Sequence, residues 1–139
     1  MLRPRLLYKL SSMLLILGFI ALIHNPREAP KDHEQSISCY NPYIIDGDTL
    51  DCNGHRIRLT SIDAPEISEC RPGRKCVSGD PYAAKRYLQS ISNSLVTCTP
   101  ITKDHYGRTV ARCEAQGIDL SCAMVKADHA AERYGSLSC

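Results

Sequence analysis

Apolar and polar positions first separate the chain into a leader, a linker and a patterned body. Leu10 to Ile23 is an unbroken apolar run except for Ser11, Ser12 and Gly18, and Arg3, Arg5 and Lys9 precede it. A basic segment followed by a short apolar segment is the pattern of a secretory signal. The run of 14 residues is shorter than the about 17–25 a spanning helix requires. No small-x-small cleavage pattern follows cleanly, so residues 1–23 are expected to be a signal peptide or an uncleaved N-terminal anchor. The protein is then exported, either periplasmic or secreted, or held at a membrane by residues 10–23. Residues 24–38 are polar, contain Pro26 and Pro30, and read as a linker.

From residue 39 the periodicity becomes structural. Cys39 to Ile45 is expected to be a first strand. Asp46-Gly47 signals a turn, Thr49 to Cys52 alternates, and Asn53-Gly54 is a strong hairpin signal. In the strand that follows, Ile57, Leu59 and Ser61 share one face and Arg56, Arg58, Thr60 and Ile62 the other. Pro65 ends it. Residues 67–79 form a loop that Cys70 and Cys76 are close enough to staple. Asp80-Pro81 supplies a helix cap and a first helical residue. Ala84, Leu88, Ile91 and Leu95 give the stripe of a helix, with Ser92-Asn93-Ser94 fraying its end. Val96–Thr99 and Thr109–Glu114 read as strands, and Asp119 caps a short helix through Ala127. The last ten residues show no clear element. Three strands, a helix, two strands and a helix make an α+β, mainly β fold. A closed five-stranded barrel with two helices is the simplest packing, because closure removes exposed edges.

Composition sharpens this. The chain has 139 residues, no tryptophan and one phenylalanine. One small core of Leu, Ile, Val, Ala and some of the seven tyrosines is therefore expected in a single domain, residues 39–139, with a thin margin of stability. Eight cysteines, all after the leader, imply disulfides in an oxidising compartment. No Cys-x-x-Cys or paired-histidine motif favours zinc. Of 17 Lys and Arg, four lie in residues 1–30, and of 15 Asp and Glu, one does. The remainder is thus slightly acidic, and any nucleic acid must be held by a local basic site, not by the overall field.

The candidate chemistry lies at strand ends. Asp48 and Asp63 are hard oxygen donors that, with a peptide carbonyl and waters, suit calcium. For either one alone, a turn or cap is the commoner role. Glu66 after Pro65 is a candidate general base. Arg58 and Arg108 are candidates for stabilising charge on a phosphodiester under attack, because a planar guanidinium donates two hydrogen bonds. Tyr106 can stack on a base or sugar, or simply pack at its turn. His105 reads as a surface residue. The basic loop 71–75 is a candidate contact for a nucleic-acid backbone, or a solvated loop.

Three stretches, Ile45-Asp46-Gly47-Asp48-Thr49, Arg58 to Glu66, and Asp104-His105-Tyr106-Gly107-Arg108, resemble in order and spacing the signatures of the staphylococcal nuclease (thermonuclease) family. The resemblance covers roughly Tyr43 to Ala130. It implies an OB-fold barrel and calcium-dependent cleavage of DNA and RNA that breaks the bond to the 5′-oxygen and leaves a 3′-phosphate. By position, Asp48 and Asp63 resemble the calcium carboxylates, and Ala64 stands where a threonine offers its backbone carbonyl. Glu66 matches the general base, and Arg58 and Arg108 match the phosphate-binding arginines. The implied protein is a monomeric endonuclease with no obligate protein partner. Two further readings are a non-catalytic OB-fold nucleic-acid-binding module and a structural calcium-binding domain; the latter leaves Arg58 and Arg108 unexplained. Better-known members lack cysteine and continue into a third helix. Disulfides, including Cys122 with Cys139, are expected to replace that packing here. Cys98 and Cys113, on the strands flanking the third signature, are expected to pair. Asp128, where glycine is frequent in the family, is expected to be left-handed.

Overall fold

The computed structural model describes residues 35–139, so the expected leader and most of the expected linker lie outside the described residues. Five strands of four residues or more are present: β1 (Ile37–Tyr40), β3 (Thr49–Cys52), β4 (His55–Leu59), β6 (Leu95–Lys103) and β7 (Thr109–Ala115). Short pairings add β2 (Tyr43–Ile44), β5 (Ile62–Asp63), β8 (Ile118–Asp119) and β9 (Ala131–Glu132). Two helices, α1 (Pro81–Ile91) and α2 (Leu120–Lys126), complete an OB-like α+β fold among the described residues.

The main sheet runs β1-β6-β7-β4-β3-β2, with β8 on β7, and its hydrogen-bonded path is open. The expected barrel closure by a ladder does not occur. The expected first strand is broken where Asn41 turns left-handed at φ 47° and Pro42 follows. A proline has no N–H to give a ladder, so β1 and β2 pair with different neighbours. A covalent link spans the gap instead: Cys39 on β1 is bonded to Cys52 on β3, with Cα atoms 5.6 Å apart. The strand also starts at Ile37, two residues into the expected linker.

β4 and β7 pair in parallel, with Ile57 opposite Thr109 and Arg58 opposite Val110. β4 ends at Leu59, not Ser61. Ser61 is left-handed at φ 60°, and the chain re-enters as β5 against β9. Ile62 therefore belongs to a second small sheet and is fully buried. Strand β6 is longer than expected and carries an irregularity between Pro100 and Thr102. Leu95 falls on this strand, 44% exposed, and not on the helix.

Asp80 caps α1 by accepting from Tyr82 and Ala83 N–H groups at 2.8 and 3.1 Å. Ala84 and Leu88 are its buried face. Asp119 caps α2 through the Cys122 N–H at 3.0 Å, and Leu120 and Met124 point inward. Asp128 is left-handed at φ 56°.

The core is aliphatic, with Leu50, Ile57, Leu59, Leu88, Val96, Leu120 and Met124 fully buried. Cys39, Cys52, Cys98 and Cys113 are buried among them. Two cystines thus occupy interior volume that aromatic side chains often fill. Cys98–Cys113, Cys70–Cys76 and Cys122–Cys139 pair as expected, and Cys39–Cys52 takes the remaining two cysteines.

Candidate nuclease site

The turn before β3 is built by its own sequence. Asp46 Oδ1 accepts from the Asp48 N–H at 3.0 Å, and Ile45 N–H reaches across to Thr49 at 2.9 Å. A short polar side chain bonding two residues on is what Asp does in turns. Asp48 is thereby aimed inward. Its Oδ1 accepts from Thr49 Oγ1 at 2.8 Å and from Arg58 Nη1 at 2.7 Å, and its Oδ2 from the Ala64 N–H at 3.1 Å. Arg58, across the hairpin beside Thr49, also gives Nη2 to Asp63 Oδ1 at 3.0 Å and to the Ile62 carbonyl at 3.1 Å.

Asp63 is buried and is the most heavily engaged group of the site. Besides Arg58 it accepts from Arg74 Nη2 on Oδ1 and from Arg133 Nη1 on Oδ2, both at 2.6 Å. Arg74 reaches with its other nitrogen to Glu66 Oε1. One guanidinium therefore joins Asp63 to Glu66, and another joins Asp48 to Asp63. Three acids face three arginines.

The electrostatics follow from burial. Burial pushes the Asp48 carboxyl up to about 6, against the pull of Arg58 and with Asp46 adding to the rise. For Arg58, burial opposes the charge, but Asp48 and Asp63 outweigh it and raise its pKa. Arg74 is likewise raised, Asp63 and Glu66 overcoming its desolvation.

Arg108 stands apart from this network. The turn Asp104–Arg108 is closed by Asp104 N–H to the Arg108 carbonyl at 3.0 Å and Gly107 N–H to the Asp104 carbonyl at 2.9 Å. Gly107 takes the left-handed position at φ 79°. Asp104 Oδ2 then accepts from Arg108 Nε at 2.7 Å. Burial raises the Asp104 pKa, but the hydrogen bonds from Arg108 and Tyr106 prevail and hold it below 3.8. Register brings Arg108 home: it immediately precedes Thr109, the partner of Ile57, next to Arg58.

Asp48, Arg58, Ala64, Glu66 and Arg108 all line one cleft of about 1270 Å³, together with Arg71, Arg74, Tyr106 and Tyr134. Asp63 lies behind its wall. Five of the six predicted positions thus line one cleft, and the buried Asp63 is joined to it through Arg58 and Arg74. Sequence reasoning missed Arg133 and Tyr134, because the β9 pairing that carries them has only two residues and no pattern. The charge at Arg74 was visible only as part of a basic loop.

Two buried carboxylates and a peptide carbonyl are the donor types a hard cation takes. The donor chemistry fits calcium. Among the described residues, though, no three His, Cys, Asp or Glu side chains converge as a ligand group, and arginines hold the oxygens.

The described residues thus form an OB-like α+β fold with acids and arginines lining one cleft. The sequence family described as staphylococcal nuclease homologue matches residues 56–137, more than half of the chain. The chain belongs to that family. It is also 30% identical over 96 residues to the succinoglycan biosynthesis protein ExoI of Rhizobium meliloti, covering 65% of this chain and 49% of that protein. The chain thus spans about half the length of that relative. Family membership supports a nuclease-like or nucleic-acid-binding function. The disulfides mark an oxidising environment, and no helix among the described residues is long and apolar enough to cross a membrane.

Proposed function

We propose that this protein is a calcium-dependent endonuclease that hydrolyses phosphodiester bonds of DNA and RNA and leaves 3′-phosphates. The observation that carries the reading is the convergence of Asp48, Arg58, Asp63 and Glu66 in one hydrogen-bonded network on the cleft that Arg108 also lines. Asp48, Asp63 and the Ala64 carbonyl are the groups that would hold calcium. When bound, the ion supplies positive charge to the substrate phosphate.

Glu66 is 29% exposed at its side chain, so water reaches it. Its Oε1 is held by Arg74, and its Oε2 has no hydrogen-bond partner among the described residues. That free oxygen takes a proton from water. The water oxygen bonds to phosphorus, the bond to the 5′-oxygen breaks, and the leaving oxygen is protonated by solvent. Arg58 and Arg108 donate to the equatorial oxygens as charge builds on them.

Plasmid degradation with added calcium, against the same reaction in chelator, tests the reading directly. Glu66→Ala and Arg108→Ala should each lower turnover by about 10²–10³-fold with unchanged far-UV circular dichroism. Near-normal turnover in either variant removes the role assigned to that residue. A second reading, a non-catalytic OB-fold nucleic-acid-binding module, is favoured by one observation. Every oxygen of Asp48 and Asp63 already accepts a hydrogen bond from within the chain. Binding of oligonucleotide without any cleavage in calcium would decide for it.

A further inference from the structure

The arginines around the cleft differ in whether their charge is answered. Arg58 pairs with Asp48 and Asp63, Arg74 with Asp63 and Glu66, Arg133 with Asp63, and Arg108 with Asp104. Arg71, like Arg56 on the same cleft, has no carboxylate within 4.0 Å among the described residues; unlike Arg56, it sits on a loop tied to Asp63 and Glu66 through Arg74. Its contact is to a neutral group: Nη1 donates to the Tyr106 hydroxyl, with the guanidinium carbon 5.3 Å from the ring centroid. The Arg108 guanidinium lies 5.4 Å from the same centroid. Two guanidiniums thus share one tyrosine at the cleft.

An exposed loop arginine is ordinarily solvated and free to swing. The backbone that carries Arg71 is instead held from several sides, and its guanidinium rests on Tyr106. The Cys70–Cys76 disulfide closes the loop around Arg71. The Arg74 N–H bonds the Arg71 carbonyl at 3.1 Å, with Gly73 left-handed between them. Arg74 anchors the loop to Asp63 and Glu66, and Arg133 donates to the Lys75 carbonyl at 2.6 Å. A positioned cation without a counter-ion, facing a polar cleft, is a site for an anion.

We propose that Arg71 is a substrate-positioning residue that grips a second backbone phosphate, outside the bond being cleaved, while the intervening nucleotide lies against Tyr106. The proposal rests on the nucleolytic reading above. Phosphate is the anion of choice because a fork of guanidinium donors matches its oxygens. Tyr106 is 55% exposed; His105 tilts against its ring at 3.7 Å between centroids, and the exposed remainder of the ring is an aromatic surface that any base accepts.

The test compares a single-stranded 12-nucleotide DNA with a dinucleotide, which has one phosphodiester and cannot reach a second contact. On the longer substrate, Arg71→Gln should raise KM about tenfold and change kcat less than about twofold. The slope of log kcat/KM against log salt should become shallower by about 0.7, the loss of one single-strand phosphate contact. On the dinucleotide both constants should stay at wild-type values. Arg71→Lys, which keeps the charge, should keep the wild-type slope. An unchanged KM and slope on the longer substrate overturns the proposal, as does an equal loss on both substrates. If the wild type cleaves neither, the nucleolytic reading falls, and fluorescence anisotropy of the labelled 12-mer across about 50–200 mM salt decides Arg71 by itself. There a shallower slope for Arg71→Gln upholds the contact, and an unaltered one overturns it.

Discussion

At the scale of single residues, the site trades stability for charge. Asp48 is 5% exposed, and burial lifts its carboxyl to about 6 from an ordinary 3.8 despite Arg58. The folded state therefore binds this proton more tightly than the unfolded chain. The contribution of Asp48 to stability is intact below 3.8 and is lost as pH rises through about 6. Asp48→Asn cannot ionise and escapes that loss. Its stability relative to wild type should rise as pH is raised from about 4 to about 7, whatever constant offset the altered hydrogen bonds introduce. Thermal melts of both proteins at the two pH values measure this. A gap that does not change with pH would show that Arg58 and Ala64 fully compensate the buried charge.

Elements matter through how closely they approach one another. Gly47, between the two aspartates of the first signature, sits where a turn, a small strand and a helix meet. A Cβ added there would lie 2.7 Å from the Ala64 Cβ and 2.8 Å from the Ala84 Cβ. Both neighbours are short, buried side chains that cannot swing aside. Gly47→Ala should therefore cost about 1–3 kcal/mol, read as a lower urea midpoint with an unchanged slope. It should also disturb Asp48 and Ala64 together, because it parts the turn from β5. A variant of wild-type stability would mean that α1 has room to withdraw. The loop 67–79 is an element in the same sense. It has no helix or strand, yet one cystine, two ion pairs and a hydrogen bond from Arg133 make it a wall of the cleft.

For the whole molecule, covalent links stand in for missing contacts. The sheet is open between β1 and β3 except for Cys39–Cys52. The C-terminal tail is held by Cys122–Cys139, 17 residues apart, by the Leu137 N–H on Glu132 Oε1 at 2.9 Å, and by Leu137 packed against the core. Replacing Cys122 and Cys139 together by serine should cost about 2–4 kcal/mol, mostly by freeing the unfolded chain. Denaturant titration without reductant measures it. A loss near zero would assign the tail to Leu137 and the β5–β9 pairing alone. Since β9 carries Arg133 to Asp63, the same variant should loosen the site more than its distance from the cleft suggests.

Sequence alone was enough wherever the cause was local. The Asp80 and Asp119 caps, the Asn53-Gly54 hairpin, the left-handed Asp128 and the Cys70–Cys76 staple each depend on neighbours in the chain, and each is where the residues put it. The six candidate positions could be picked out in the sequence because they lie at strand ends and turns. Tertiary structure decided what depends on pairing between distant segments. It left the sheet open, since Pro42 cannot feed a ladder, and sent Ile62 into a second sheet with β9. It also brought Arg74 and Arg133 onto Asp63 from positions 11 and 70 residues away. No periodicity encodes which arginine meets which acid; the buried carboxylate selects its partners only once the strands have brought them within reach.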